Sequence, residues 1–374
     1  MGCAVYHQDL PINDCSSSES SNAYSKGPAI DRTLQELVKV GVPGVAITVY
    51  SNEGWWSSAS GFAKIEDKTL MQTCHLQYLQ SISKTYMAVG ILKLYEQGKI
   101  DLEAPMTKYL PEKFSRYISN AEQITVRMLL NHTSGIPEYN SVAAYVTKLL
   151  QQPDYPFSPE DYLKYIDGKS LDFAPASKYS YRNTNYVILA LIADAITGGH
   201  AKFLEETIFK PLELTQTFYR NDQSYLHYPN LVNSYWDRNS TGILENASQL
   251  QRNNVAALIG DDGIVATPLD AVKFLKGLME GKLLTTGTLE IMKSWVKDKN
   301  GNNTYGLGLD YATMGGQTAY GHSGGGIGGG CQLYYFPEKN ICFFIAINLG
   351  TVTESPLHEE ATKQLEKIYD VILK

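Results

Sequence analysis

The sequence predicts an α+β fold in which strands from both chain ends form one antiparallel sheet flanked by helices, with a mostly helical lobe inserted between them. Strand patterns occur near both termini, and helical patterns broken by Pro, Gly and Asn fill the middle of the chain. We expect residues 28–80 and 291–374 to form the sheet lobe and residues 81–290 to form the helical lobe. The cleft between two such lobes is the expected place for a site.

Residues 1–27 are predicted to be a flexible leader. A polar tract occupies residues 16–22, and no apolar segment typical of a signal peptide precedes it. Cys3 leaves two interpretations open. It is either the lipid-anchor cysteine of a periplasmic or cell-envelope protein whose signal peptide is absent from this sequence, or part of a cytosolic leader.

A helix and a hairpin are expected next. Asp31 is a candidate N-cap for a helix that ends near Val40, because glycine and proline follow. Residues 45–50 are predicted to be a buried strand. Asn-Glu-Gly at residues 52–54 then predicts a turn into a second strand over residues 55–62.

The rest of the chain is predicted to be helical until strands return near its end. The clearest helical patterns are at residues 125–130, 143–150, 186–195 and 268–279. Strands are predicted at residues 332–336 and 341–347, followed by a closing helix over residues 359–373. The turn between the two strands is expected to pair Tyr335 with Cys342.

The composition argues against several classes of function. The 374-residue chain has a formal net charge of −7 without long charge runs, which does not favour a nucleic-acid partner. No stretch approaches the ~18 consecutive apolar residues of a membrane span. The five cysteines form no Cys-x-x-Cys pair and the histidines are dispersed, so neither a metal site nor a cofactor is expected.

Ser81 and Lys84 are the candidate centre of the chemistry. They stand three residues apart before the apolar-periodic run 87–94, and a helix there directs both side chains into the same space. A hydroxyl beside an amine at a helix N-terminus is typical of an activated nucleophile. The alternative is an N-capping serine with a solvated lysine.

A loop that enters a helix supplies a second pair, Tyr181 and Asn183. A phenol beside a lysine is a candidate proton shuttle for the serine. The asparagine amide is a candidate partner of a substrate carbonyl or of Lys84. The alternative is a loop tyrosine with a helix-capping asparagine.

A third set lies in a glycine-rich strand. His322 is a candidate for substrate binding or protonation, and Ser323 for a hydrogen bond to a substrate carboxylate. Gly324 and Gly325 permit close approach of a ligand. The N–H groups of Gly325 and Ser81 are expected to form an oxyanion hole. The alternative for this triplet is an ordinary turn.

In this order, the three sets resemble the signature of the serine β-lactamase and penicillin-binding-protein superfamily: Ser-x-x-Lys, Tyr-x-Asn and a basic-Ser/Thr-Gly triplet. Their Tyr-x-Asn and His-Ser-Gly forms are similar to those of the branch containing class C β-lactamases and D-alanyl-D-alanine carboxypeptidases, the S12-like peptidases. Residues 130–137 and 263–270 also resemble stretches of this branch, and the resemblance covers roughly residues 28–370.

The resemblance implies a β-lactamase/transpeptidase-like fold and a serine hydrolase that forms an acyl-enzyme on Ser81. Lys84 and Tyr181 share the proton transfers, and which of them is the general base is left open. A D-alanyl-D-alanine carboxypeptidase or β-lactamase-like activity is expected on a β-lactam, a D-amino-acid peptide or an ester. The alternatives are a penicillin-binding or sensing protein with negligible turnover, an esterase and a D-aminopeptidase.

The chain departs from the carboxypeptidase pattern in one respect. A carboxypeptidase binds a terminal carboxylate, usually through a guanidinium or an ammonium group. No arginine follows Arg252, so Lys297, Lys299 and Ser323 are the candidate substitutes. The substrate therefore stays open among the implied classes.

Overall fold

A computed structural model describes residues 23–221 and 224–374. The candidate lipid anchor Cys3 and most of the expected leader lie outside the described residues. The end of that leader was wrongly assigned, because Tyr24 is buried and the Lys26 ammonium donates to the carbonyl of Ile372 at 2.7 Å. Residues 23–27 are therefore part of the folded unit.

The long strands lie near both ends of the described chain and most helices lie between them, as predicted, but the predicted helical middle also contains four short strands within residues 217–266. The strands are β1 (Gly44–Ser51), β2 (Gly54–Lys64), β3 (Thr69–Leu70), β4 (Gln77–Tyr78), β5 (Thr217–Phe218), β6 (Tyr235–Trp236), β7 (Glu245–Asn246), β8 (Val265–Ala266), β9 (Val296–Lys297), β10 (Asn303–Tyr305), β11 (Asp310–Met314), β12 (Gln317–Gly325), β13 (Gly330–Phe336) and β14 (Ile341–Ile347). The α-helices are α1 (Gly27–Lys39), α2 (Ser83–Glu96), α3 (Glu112–Ser115), α4 (Val126–Leu130), α5 (Ala143–Gln151), α6 (Pro159–Lys164), α7 (Asn183–Thr197), α8 (His200–Leu204), α9 (Ser248–Ala257), α10 (Pro268–Met279), α11 (Thr286–Met292) and α12 (Pro356–Leu373). Short 3₁₀ turns lie at Gln80–Ile82, Met106–Lys108, Ala121–Gln123, Tyr139–Ser141 and Tyr225–His227, and a π-turn lies at Glu205–Phe209.

Strands from both ends of the chain meet in one nine-stranded sheet, as predicted. Its order is β3-β2-β1-β14-β13-β12-β11-β10-β9, and its registered pairs are antiparallel. The first long strand lies beside the last one, with Val45 opposite Ile347. The predicted pairing of Tyr335 with Cys342 is also confirmed.

Both faces of β14 are buried, which explains its uninterrupted apolar sequence. Phe343 and Ile345 belong to the core that includes α1 and α12, where the Phe343 ring stacks on Tyr369 at 5.6 Å between centroids. Cys342 and Phe344 point to the opposite face, toward the core of α2, α7 and α10. The sheet therefore separates two hydrophobic cores.

Helix α10 packs on β14 and β1 although it lies within residues 81–290, the range expected for the helical lobe. The division of the chain at residues 80 and 290 stays a prediction. The N-cap of α1 differs from the expected one: Asp31 lies inside the helix, which begins at Gly27 with proline next in sequence. The Asp31 carboxylate instead accepts from the Ser58 hydroxyl at 2.5 Å and ties the helix to β2.

Within the described residues, no single helix is both long enough and apolar enough to span a membrane. Two consecutive helical segments, Asn183–Thr197 and His200–Phe209, meet those criteria only when they are taken together across an 85° bend.

Gly308 is expected to be one of the least replaceable residues of the fold. Its φ of +80° is in the left-handed region, and a Cβ there would lie 2.2 Å from the Cβ of Ala88 on α2. Gly198 has almost the same φ, +79°, but nothing lies within 4 Å of its Cβ position. We expect Gly308→Ala to lower the free energy of unfolding by about 1–3 kcal/mol more than Gly198→Ala, because only Gly308 adds overpacking to the backbone strain.

Urea unfolding of both variants beside the unchanged protein measures this difference. Equal losses in the two variants would show that the contact with α2 relaxes freely and that backbone strain alone sets the cost.

Candidate active site

Ser81 lies in the tight 3₁₀ turn that leads from β4 into α2. The preceding residue, Gln80, has a φ of +48° and is buried. A non-glycine residue in the left-handed region is strained, and such strain is typical of functional sites that hold a side chain in a fixed direction. The turn presents the Ser81 side chain to a cavity at the junction of the sheet with the helices.

Lys84 contacts Ser81 directly, as the i,i+3 spacing predicts. The ammonium group donates to the Ser81 hydroxyl at 3.0 Å and to the backbone carbonyl of Asp261 at 2.7 Å. The side chain is completely buried. Burial lowers the pKa of Lys84 below its ordinary value, although nearby carboxylates, of which Asp261 has the largest effect, oppose this shift. A lysine with a lowered pKa can lose its proton and serve as a base.

Tyr181 lies against the same pair, with the Lys84 nitrogen 5.1 Å from the centre of its ring. Its hydroxyl is buried and has no hydrogen-bond partner within the part of the chain that the structure describes. Burial raises the pKa of Tyr181 well above its ordinary value, and the nearby Ser81 hydroxyl lowers it by a smaller amount. The phenol is therefore held in its protonated form, poised to donate a hydrogen bond.

His132 supports the Tyr181 segment from behind. Its ring lies 4.4 Å from the Tyr181 ring, and its Nδ1 accepts from the backbone N–H of Arg182 at 3.1 Å. Its carbonyl accepts from the N–H of Ser180 at 2.9 Å. Because burial holds the pKa of His132 well below its ordinary value, the imidazole is neutral and its proton belongs on Nε2. His132 thus positions the tyrosine loop.

Glu138 fixes the start of α7, the helix that follows Tyr181. Its carboxylate accepts from the backbone N–H of Asn183 and, at 3.4 Å, from the hydroxyl of Thr184. A carboxylate at a helix N-terminus satisfies free N–H groups and complements the helix dipole. Glu138 was not among the residues predicted from the sequence. Its only sequence signal is an acidic side chain immediately after residues 130–137, a stretch that resembles the family.

Asn183 lines the cavity with Ser81 and Tyr181. Its expected role of orienting Lys84 is not what the structure shows. Among the described residues, Lys84 bonds to Ser81 and to the carbonyl of Asp261, and no hydrogen bond joins it to the Asn183 amide. The amide is therefore available to a ligand, and its predicted role in substrate binding stays a prediction.

His322 is buried on β12, close to the catalytic cluster but engaged at both ring nitrogens. Nδ1 donates to the carbonyl of Ser323 at 2.6 Å, and Nε2 accepts from the Tyr305 hydroxyl at 2.9 Å. Burial lowers the pKa of His322, while Asp310 opposes this shift. Neither nitrogen is free in this arrangement, which contradicts the predicted role of His322 in substrate binding or protonation.

The other residues of the triplet divide between the two faces of β12. Ser323 lines a cavity of about 330 Å³ between the sheet and α12 and does not line the cavity beside Ser81, so its contact with a substrate carboxylate stays a prediction. At Gly324 a Cβ would lie 2.6 Å from the carbonyl of Leu79, so only glycine permits this close approach of β12 to the Ser81 turn. Gly325 lines the catalytic cavity, and its role with Ser81 in an oxyanion hole stays a prediction.

The cavity beside Ser81 has a volume of about 580 Å³ and an asymmetric lining. One wall is apolar and is formed largely by α5, including Tyr145, Val146 and Leu149. The charged side chains among its described lining residues are carboxylates, those of Asp261 and Asp262. No lysine or arginine of the described chain belongs to this lining, so the candidate substitutes Lys297 and Lys299 were wrong.

The two carboxyl groups sit in a region rich in hydrogen-bond acceptors. Asp261 Oδ2 accepts from the Tyr139 hydroxyl at 2.8 Å, whereas its buried Oδ1 has no partner within the described residues. The Oδ1 of Asn254, another residue of the cavity wall, is also buried without a described partner. Burial raises the pKa of Asp261 to about 6 and that of Asp262 to about 7, with Asp261 adding to the effect at Asp262.

The carboxyl groups of Asp261 and Asp262 were not among the site residues predicted from the sequence. Asp261 and Asp262 stand immediately before residues 263–270, a stretch that the resemblance did include. Two adjacent acidic residues that follow an apolar segment and a glycine were the available signal, because ionisable groups are rarely buried without a function.

A comparison with protein families identifies the family to which the chain belongs. The family model described as Beta-lactamase matches residues 30–365, which is most of the chain. The chain belongs to the beta-lactamase family. Membership of this family confirms the superfamily and the α+β fold that the three motifs imply. The protein is therefore a member of a serine hydrolase superfamily.

Curated relatives of this beta-lactamase family member include PbpX of Bacillus subtilis (strain 168), named as a candidate penicillin-binding protein. The two are 27% identical over 297 residues, which are 78% of this chain and 67% of PbpX. The chain spans only 38% of the next such relative, protein flp of Staphylococcus aureus (strain N315).

Two solved structures of similar chains are named as amide-hydrolysing enzymes. A D-stereospecific amidohydrolase from Streptomyces sp. is 26% identical with a TM-score of 0.78, and the match covers 89% of this chain and 97% of that one. A D-amino acid amidase from Ochrobactrum anthropi SV3 is 25% identical with a TM-score of 0.76, and the match covers 91% and 99%.

Proposed function

We propose that this protein hydrolyses the amide bond of a D-amino acid amide or a short D-amino-acid peptide through an acyl-enzyme on Ser81. The observation that carries the proposal is the direct contact of Ser81 with a buried lysine at 3.0 Å, on the wall of a cavity large enough for an aminoacyl group. The similarity to a D-stereospecific amidohydrolase supports the reaction class.

In the proposed mechanism, Lys84 is the general base. Its lowered pKa favours the neutral amine, whereas the raised pKa of Tyr181 disfavours the phenolate. The Ser81 oxygen attacks the amide carbonyl while its proton passes to Lys84. That proton then goes to the leaving nitrogen, which departs as ammonia or an amine. Water hydrolyses the resulting ester and regenerates Ser81. Tyr181 stays protonated and stabilises, by a hydrogen bond, either the oxygen that becomes negatively charged during the attack or the leaving group.

A D-alanyl-D-alanine carboxypeptidase is a weaker candidate for this chain. Its substrate carries a terminal carboxylate, and a carboxylate facing Asp261 and Asp262 without an arginine is electrostatically unfavourable. A β-lactam carries a carboxylate as well, so the same argument lowers the expected rate of β-lactam hydrolysis. The similarity to PbpX favours a second candidate, a protein that penicillin acylates with negligible turnover.

A rate panel tests the proposal and separates these candidates. The compounds are D-phenylalanine amide, L-phenylalanine amide, a D-Ala-D-Ala peptide, a chromogenic cephalosporin and a short p-nitrophenyl ester. We expect sustained hydrolysis of D-phenylalanine amide at the highest kcat/KM among the amides and peptides. A single burst on the cephalosporin with no amide turnover would replace the proposal with the penicillin-binding candidate.

The proposed location is the cell envelope, with Cys3 as the lipid-attachment residue. The support for it is the sequence pattern alone, because Cys3 lies outside the described residues. Fractionation of cells that express the native gene, with the full chain compared with its Cys3→Ser variant, tests it. Recovery of both forms in the cytosol would remove this part of the proposal.

A further inference from the structure

The wall of the catalytic cavity that includes Asp261 offers acceptors and few donors. Asp261 Oδ1 and Asn254 Oδ1 are buried and lack described partners, and Asp262 adds a second carboxyl group. A buried acceptor without a partner destabilises the protein, so a ligand that donates hydrogen bonds to this wall binds more tightly. The wall is therefore complementary to a group that carries several N–H donors and a positive charge.

The distances place this wall close to the reacting atom. The Lys84 ammonium alone bridges the Ser81 hydroxyl, at 3.0 Å, and the carbonyl of Asp261, at 2.7 Å. One lysine head group therefore separates the nucleophile from the backbone of Asp261. In an α-amino acid amide, a single carbon atom separates the amine from the carbonyl that Ser81 attacks. An α-ammonium group fits this separation better than an amine at the end of a long side chain.

The apolar part of the lining, formed by α5, indicates what accompanies the charged group. Val146 and Leu150 on α5 line the cavity and are 39% and 36% exposed, although they are large apolar residues. A ligand that covers these side chains removes apolar surface from water, and this favours binding. A ligand with an ammonium group on one side and a bulky apolar side chain on the other matches both walls.

We propose that Asp261, Asp262 and Asn254 form a subsite for the free α-ammonium group of the substrate, so that the enzyme requires an unblocked N-terminal aminoacyl group with an apolar side chain. This inference rests on the proposed amide hydrolysis and adds to it the determinant of specificity. The Asp261 carboxyl group lies outside the proton transfers, since Lys84 contacts its backbone carbonyl. Burial raises the pKa values of Asp261 and Asp262, and the nearby Lys84 ammonium opposes this shift at both groups.

The first test uses the unchanged protein and three compounds: D-phenylalanine amide, its N-acetyl derivative and 3-phenylpropanamide, which lacks the amine. We expect kcat/KM for the free amine to exceed those for the other two by at least about 30-fold, because an uncompensated buried charge site rejects neutral groups. Equal rates for the free and acetylated amides would overturn the subsite while leaving the proposed amide hydrolysis intact.

The second test uses the variants Asp262→Asn and Asp261→Asn. Both are expected to raise KM for D-phenylalanine amide about tenfold or more, and to reduce the preference for the free amine by the same factor. Because both substitutions also affect the Lys84 pKa, the readout is the ratio of kcat/KM for D-phenylalanine amide to kcat/KM for its N-acetyl derivative within each variant, in which a change at the Ser81–Lys84 pair cancels. Glu366→Gln is the matched control, because it removes one negative charge from the separate cavity beneath α12.

The outcomes distinguish the two levels of the proposal. A KM effect that appears equally in Glu366→Gln, or an unchanged preference for the free amine in Asp261→Asn and Asp262→Asn, would overturn the subsite. A protein that hydrolyses none of the amides, and whose Ser81 is not acylated by the ester, would overturn the proposed function itself.

Discussion

Replacing Ser81 with alanine is expected to lower kcat for the preferred amide by about 10⁴-fold or more, with the fold and substrate binding retained. The substitution removes the only atom that forms the acyl bond in the proposed mechanism, and loss of a serine nucleophile has effects of this size in other hydrolases. Intact-mass analysis after incubation with a p-nitrophenyl ester or penicillin should show an adduct on the unchanged protein and none on the variant.

Ser83→Ala is the matched control for this experiment. Ser83 is a second serine in the same turn, buried, with its hydroxyl accepting from the N–H of Ile264 at 3.3 Å. Its loss is expected to cost about 1 kcal/mol of stability and to leave the adduct unchanged. An adduct that persists in Ser81→Ala and disappears in Ser83→Ala would transfer the nucleophile to Ser83.

Removing the Lys84 amine is expected to have the next largest effect. Lys84→Met keeps an apolar stem in the buried position but deletes the base, so kcat/KM should fall by about 10³–10⁴-fold, whereas Tyr181→Phe should cost about 10²-fold. The dependence of activity on pH identifies the general base. Because Lys84 acts only after losing its proton, activity should rise with pH and level off below the ordinary lysine pKa of 10.5.

The rise of activity with pH, the ascending limb of the profile, is expected to remain in Tyr181→Phe and to be absent from the residual activity of Lys84→Met. The reverse pattern would assign the general base to a Tyr181 phenolate. The groups that set the position of the limb are those that face Lys84, namely the carboxyl groups of Asp261, Asp262, Glu138 and Asp310, and each of them raises its pKa against the effect of burial. Asp262→Asn should therefore move the limb to lower pH.

The parts of the site that the sequence predicted are those that depend on local spacing. Ser81 and Lys84 meet because they are three residues apart at the start of a helix, and this geometry is the same in any protein. The pairing of Tyr335 with Cys342 was predictable for a similar reason, because a short turn fixes the register of its hairpin. Such features require no knowledge of distant contacts.

The parts that were missed depend on contacts between distant segments. The carbonyl that holds Lys84 comes from Asp261, 177 positions away, and any residue type supplies the same carbonyl, so its sequence carries no signal. Ser323 differs from Asp261 because the direction of its side chain was predictable. Adjacent residues of a strand point to opposite faces, so the side chains of His322 and Ser323 lie on opposite faces of β12.

The pairing of β1 with β14 has a consequence for how the protein is made. Strand β1 leaves the ribosome well before the strand that covers its second edge, Ile341–Ile347, because the whole helical part of the chain is synthesised between them. During synthesis β1 and β2 present an open, apolar strand edge that invites pairing with other chains. The order of synthesis therefore makes the nascent protein dependent on protection of that edge, and a chain that ends before Ile341 cannot complete its sheet.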